Sequence, residues 1–145
     1  MQDFLIGSGI CAALILTCVA VFYELMARAW VLLPRLGGQR RQILFTISLL
    51  FIGHTIAVWL FGITDYVLDV RFHFGSLVGG PNGFWDHLYF SGVTYSSLGF
   101  GNIDATGGLR LLAVVESVLG LILIGWTVTF TYLVTHEYLL QRRKA

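Results

Sequence analysis

Three long apolar stretches, Phe4 to Tyr23, Ile43 to Thr64 and Leu111 to Thr135, restrict this chain more than any other feature. The first is 20 uncharged residues. As a helix it covers about 30 Å at about 1.5 Å per residue, the thickness of the hydrocarbon layer of a bilayer. The second is interrupted only by His54 and the third only by Glu116. With 57% hydrophobic and 12% charged residues and a mean hydropathy of +0.80, a chain of 145 residues cannot hide this much apolar surface in one small soluble core. The reading is an all-α integral membrane protein with three transmembrane helices.

Between the second and third stretches lies Phe84 to Val93, apolar and aromatic but about half the length a span requires. A segment that dips into the membrane and leaves on the same side keeps both flanking helices spanning, so this one is expected to be re-entrant. Pro81-Asn82-Gly83 marks a turn. Asn82 is expected to cap a short helix running from Phe84 to about Ser96, with Asp86 in its positive first turn and its negative end inside the membrane. Irregular backbone after that helix is tolerated at such depth only if protein buries it or it lines a water-filled cavity.

Arg28, Arg35, Arg40 and Arg41 sit in the first connection and Arg142, Arg143 and Lys144 in the tail, seven of the nine basic residues. These belong in the cytoplasm. Asp3, Asp65, Asp69, Asp86 and Asp104 collect on the other side against Arg71 and Arg110. The amino terminus and the 65–110 region therefore face outward and the carboxyl terminus inward. Met1-Gln2-Asp3 lacks the positive charge of a cleavable signal.

Enzyme and nucleic-acid readings find no support. His136-Glu137-Tyr138-Leu139-Leu140 begins like a zinc-protease helix but has Leu140 where the second His must stand. The basic residues are accounted for as topology determinants. Cys11 and Cys18 stand roughly 10 Å apart along one helix, too far to bridge, and read as packed thiols. No cofactor is implied.

The stretch Val93-Thr94-Tyr95-Ser96-Ser97-Leu98-Gly99-Phe100-Gly101-Asn102 is polar and carries glycines at alternate positions. Glycine takes positive φ freely where other L-residues resist it, so alternate glycines let successive carbonyls turn to one side. One such ladder of acceptors is costly alone. Several chains around an axis can aim their ladders inward and replace the water shell of a cation. This stretch resembles, without a gap, the filter signature of the tetrameric potassium-channel superfamily, close to V-T-x-T-T-V-G-Y-G-D, in its prokaryotic two-transmembrane pore-domain type with one extra N-terminal helix. Leu88-Tyr89-Phe90-Ser91 looks like the pore helix of that superfamily, and Arg110 to Gly125 like its inner helix. The resemblance covers roughly residues 43 to 140.

It implies a homotetramer around a central pore, each chain giving three transmembrane helices with a re-entrant pore helix and selectivity-filter loop between the second and third. Residues 1–42 would be a peripheral N-terminal transmembrane helix and cytoplasmic connection. Residues 43–145 would be the pore domain: outer helix 43–70, turret and pore helix 71–96, filter 97–102, inner helix 108–136 and a short cytoplasmic tail. The K+ sites would be the carbonyls of Ser97, Leu98, Gly99 and Phe100 with the Ser97 hydroxyl, and Gly101 would complete the outer mouth. Val93, Thr94, Asn102 and Glu116 would support the filter. Gly120 aligns with a glycine that bends the inner helix in many relatives; close helix packing is the alternative reading. Leu121, Ile124, Val128 and Tyr132 would line the cavity. Ser97 stands for the usual Thr, Phe100 for Tyr and Asn102 for Asp, and Val93 stands where some bacterial relatives carry Glu. Together these changes remove a methyl group, a hydroxyl and a carboxylate pair around the filter. The implied partners are K+, further copies of the chain and membrane lipid, in a prokaryotic plasma membrane. The alternatives are a weakly selective monovalent cation channel and a non-conducting membrane scaffold or regulatory subunit.

Two polar residues inside spans remain. Glu116 reads either as a carboxyl holding the inner helix to the pore helix, with Ser91, Ser96 or Thr94 as partner, or as a proton sensor. His54 reads as a packed neutral imidazole that meets Glu116 or a first-helix hydroxyl. Gly7, Ser8, Gly9, Ala12 and Ala13 offer a small-residue face for packing the first helix on the outer one. No helix before the pore region carries the spaced arginines of a voltage sensor.

Overall fold

The computed structural model describes the backbone of residues 2–99 and 101–143, and the side chains of 5–38, 40–99 and 101–136. Helix α1 (Gln2–Leu32) ends in a short 3-10 turn, Leu33–Arg35, where Pro34 cannot continue the helical hydrogen bonds. Gly38 at φ 88° turns the chain into α2 (Gln39–Phe72). That helix stops on His73, which adopts the left-handed conformation while the His73 and Phe74 N–H groups reach back to the Asp69 and Leu68 carbonyls. A short strand β1 (Leu77–Val78), helix α3 (Phe84–Tyr95), strand β2 (Asp104–Ala105) and helix α4 (Leu109–Arg143) complete the described chain. The strands pair antiparallel, Leu77 with Ala105 and Val78 with Asp104.

Leu5–Arg35, Arg40–Phe72 and Leu109–His136 are each long and apolar enough to cross a membrane. Only 28%, 22% and 33% of their most apolar windows are buried within the chain, so most of that surface must meet lipid or other copies. Helix α3, at 12 residues and about 18 Å, is too short to cross. It wedges between α2 and α4 on the side of the strand pair.

The core has two centres. One joins Cys18, Phe22 and Met26 of α1 to Leu50, Ala57 and Phe61 of α2, Tyr95 of α3, and Leu119 and Leu123 of α4. The other joins Cys11 to Leu68, Leu77, Phe90, Leu109 and Leu112. The packed face of α1 is thus Cys11, Cys18, Phe22, Met26 and Ala29, and both thiols lie at helix contacts. This corrects the small-residue face expected there: Gly9, Ala12 and Ala13 are exposed, and only Gly7 is buried. The close approach is made by α2 instead. A Cβ on Gly53 would stand 2.9 Å from Leu25 and 3.3 Å from Phe22, so the missing side chain on α2 makes room for large ones on α1.

Candidate ion-conduction site

Helix α3 is fixed at its start by a turn of a different register from that expected. Gly83, not Asn82, is the N-cap, and the Asp86 carboxylate accepts the Gly83 N–H at 2.8 Å. Asn82 instead takes the left-handed position of the turn at φ 59°, which Asn tolerates better than most residues, and its buried Oδ1 accepts no hydrogen bond from the helix end. His87, fully buried, donates Nδ1–H to the Gly83 carbonyl at 2.9 Å and sets Nε2 3.1 Å from Asp69 on α2. Asp65 and Asp69, counted by sequence among the outward charges, are both packed inside the bundle.

Along its length α3 is seated by missing side chains. A Cβ on Gly62 of α2 would lie 3.0 Å from the Leu88 Cα, and one on Gly120 of α4 would collide with the Tyr95 carbonyl oxygen. Gly120 is therefore a point where two backbones touch. Gly125 has nothing within 4 Å of its Cβ position. The Ser117 hydroxyl lies 3.1 Å from the Thr94 carbonyl and 3.0 Å from the Ala113 carbonyl of its own helix, a second contact from α4 on which one hydrogen serves two acceptors.

Past α3 the chain tightens. The N–H groups of Ser97 and Leu98 return to the carbonyls of Thr94 and Val93 at 2.9 and 3.0 Å. Ser97, Gly99 and Gly101 then stand at φ 56°, 54° and 72°. Two of these are the alternate glycines read from sequence; the third is a serine, for which the left-handed conformation costs about 1–2 kcal/mol. Gly99 has open space around its Cβ position, so glycine is needed there for φ and not for room. Leu98 is exposed. Phe100, the fourth of the expected carbonyl ligands, lies outside the described residues. Val93, Thr94, Ser97 and Gly99 face Ala113, Val114 and Ser117 of α4 across a hollow of about 420 Å3.

The outer end of this loop is clamped, which the sequence did not indicate. A Cβ on Gly79, at φ 100°, would strike the Asn102 carbonyl oxygen. Beyond the two-residue strand pair, the Thr106 N–H and hydroxyl both donate to the Ser76 carbonyl at 2.8 and 2.9 Å. Among the expected supports, Asn102 acts here through its backbone.

Glu116 is fully buried and meets Ser91, one of its three expected partners, at 2.5 Å. The Ser91 oxygen also lies 2.8 Å from the Val58 carbonyl, so one hydroxyl joins α4, α3 and α2. Ser96 bonds its own helix at Gly92. The expected partners of His54 are corrected: its Nδ1 lies 2.7 Å from the Tyr95 hydroxyl and its Nε2 3.1 Å from the Thr127 hydroxyl. No spacing rule could have paired residues 41 and 73 positions apart in sequence. Leu121, Ile124, Val128 and Tyr132 fall on a face of α4 that the rest of the chain leaves exposed.

Three apolar helices, a short fourth one, and a loop with positive φ at Ser97, Gly99 and Gly101 at its negative end define an all-α integral membrane protein of channel type. The family model described as ion channel matches residues 55–135, more than half of the chain, from α2 just past His54 to α4 just short of His136. The chain belongs to this ion channel family. No curated protein and no solved structure matches it.

Proposed function

We propose that the protein conducts K+ selectively and passively through a pore on the axis of a homotetramer, with α3 re-entrant from the outside and the amino terminus outward. The observation that carries this reading is the alternation of positive φ at Ser97, Gly99 and Gly101. Residues of alternating hand point successive carbonyls to the same side, and a ring of four such ladders replaces the hydration of a bare monovalent cation. The carbonyls of Ser97, Leu98, Gly99 and Phe100 with the Ser97 hydroxyl form the sites, and Gly101 the mouth. The negative end of α3 points at the ion entering from the cavity. Leu121, Ile124, Val128 and Tyr132 line that cavity, where an apolar wall suits a gate that closes by drying. The membrane potential drives the ion at about 2.3 kcal/mol per charge per 100 mV, so no cofactor takes part.

The test is K+ flux from liposomes that contain only this protein. Flux that is larger for K+ than for Na+ is expected. Equal flux of the two ions would leave a weakly selective cation channel, and no flux would leave a membrane scaffold.

A further inference from the structure

We propose that α1 is part of the support of the filter: Phe22 seats the His54 ring, and His54 fixes Tyr95, two residues before Ser97, to Thr127 of α4. This rests on the reading of Ser97 to Gly101 as a conduction filter. The residues named are positioning residues, none of which touches the ion path.

Counting hydrogens fixes the direction of the chain. The Thr127 hydroxyl has one hydrogen, and the Ile124 carbonyl, 2.9 Å away, can only accept it. With that hydrogen on Ile124, the Thr127 oxygen receives Nε2–H from His54; the opposite direction, Thr127 to Nε2 and Nδ1–H to Tyr95, would leave the Tyr95 hydroxyl hydrogen without an acceptor among the described contacts. The first direction leaves Nδ1 of the neutral ring as an acceptor, and the Tyr95 hydroxyl donates to it. Every polar group in the line from α3 through α2 to α4 is then satisfied by one tautomer, which is a strong constraint in a region without water.

The ring is held in this line from the side of α1. The edge of Phe22 packs on His54 with centroids 4.9 Å apart at 64°, and Phe22 is fully buried. Phe22 is itself met from α2, since a Cβ on Gly53, next to His54, would stand 3.3 Å from its ring. The His54 ring also borders a hollow of about 310 Å3, lined by Leu50, Phe51, Thr127 and Val128 and not by Phe22. Without the pressure of Phe22, His54 has room to swing there and release Tyr95. The Tyr95 carbonyl meanwhile touches Gly120, so its backbone is located by α4 directly and its hydroxyl through His54 of α2.

The test uses the full chain, labelled with 15N-histidine and assembled in lipid bilayers. Solid-state NMR of His54 should show the neutral Nε2–H form with Nδ1 accepting a hydrogen bond. Tyr95→Phe should move the Nδ1 resonance to that of a free nitrogen and leave Nε2 unchanged. Phe22→Leu, which keeps an apolar side chain in the core, should disturb both. In liposomes, Tyr95→Phe, Thr127→Val and Phe22→Leu should each lower the K+ to Na+ flux ratio by about fivefold, the weight of one net hydrogen bond. The double variant Tyr95→Phe with Thr127→Val should fall no further than the worse single one, because both break one chain. The proposal is overturned if Nδ1 is unmoved in Tyr95→Phe, if His54 is unmoved in Phe22→Leu, or if the resonances shift while the flux ratio stays at the wild-type value. Wild-type protein that passes both ions equally would defeat the potassium reading alone. The His54 resonances and total cation flux of the same variants then decide the support.

Discussion

Replacing Gly120 by Ala places a methyl group where the Tyr95 carbonyl oxygen already stands, with the Tyr95 carbonyl carbon 2.9 Å and its Cα 3.3 Å from the new Cβ. These neighbours are backbone atoms at the end of α3, held by the return hydrogen bonds of Ser96 and Ser97, so no side-chain rotation relieves the contact. Helices α3 and α4 must part. Overpacking typically costs about 1–3 kcal/mol, and a contact against backbone belongs at the upper end. Alanine returns about 1 kcal/mol through helix propensity, which leaves a net loss of about 2 kcal/mol. Gly125→Ala meets nothing within 4 Å and keeps only the gain. The two variants should therefore differ by about 3 kcal/mol, more than a hundredfold in the folding equilibrium. Reversible unfolding in mixed detergent micelles measures the difference. Equal stability of the two variants would refute the close approach and return Gly120 to the role of a bending point.

Other consequences are as direct. Ser91→Ala leaves the Glu116 carboxyl and the Val58 carbonyl without their shared partner and should lose about 1–3 kcal/mol. Glu116→Gln, whose amide can donate to Ser91 while Ser91 donates to Val58, should stay within about 1 kcal/mol of the parent; the same unfolding assay showing the reverse order would refute the bridge. Gly99→Ala forces a side chain to φ 54° at a cost of about 1–2 kcal/mol and should abolish selective K+ flux, although there is space for its methyl group. Retained selectivity in liposomes would contradict the left-handed requirement. Gly79→Ala strikes the Asn102 carbonyl and should reduce flux with the helical content, read by circular dichroism, unchanged.

The spans were legible because length and hydropathy alone decide them, and the apolar runs Phe4 to Tyr23, Ile43 to Thr64 and Leu111 to Thr135 fall inside α1, α2 and α4. The loop was legible because Gly99 and Gly101 announce positive φ, and Gly is the residue that takes it without strain. Ser97 does not announce it; it follows the C-cap of α3, where the Leu98 N–H returns to the Val93 carbonyl and a left-handed residue closes the helix. Polar pairs were legible only where few partners competed. Glu116 had three candidates on the neighbouring helix and met one of them. His54 met Tyr95 and Thr127 because the rotation of three helices set those side chains together, and apolar runs leave rotation undetermined. The face of α1 was misplaced for a related reason: small residues permit contact, but here Gly53 on α2 supplied the space and large residues on α1 filled it.

The pairing of Leu77 with Ala105 and Val78 with Asp104 closes the neck of the segment that carries α3 and the loop after it. Its rim is consequently moored to the end of α2 by a route that bypasses α3. The backbone at Asn102 is thus tied to the segment that follows α2 through Gly79, while the interior of the bundle is tied through α3 itself, so the two ends of the loop answer to different levers.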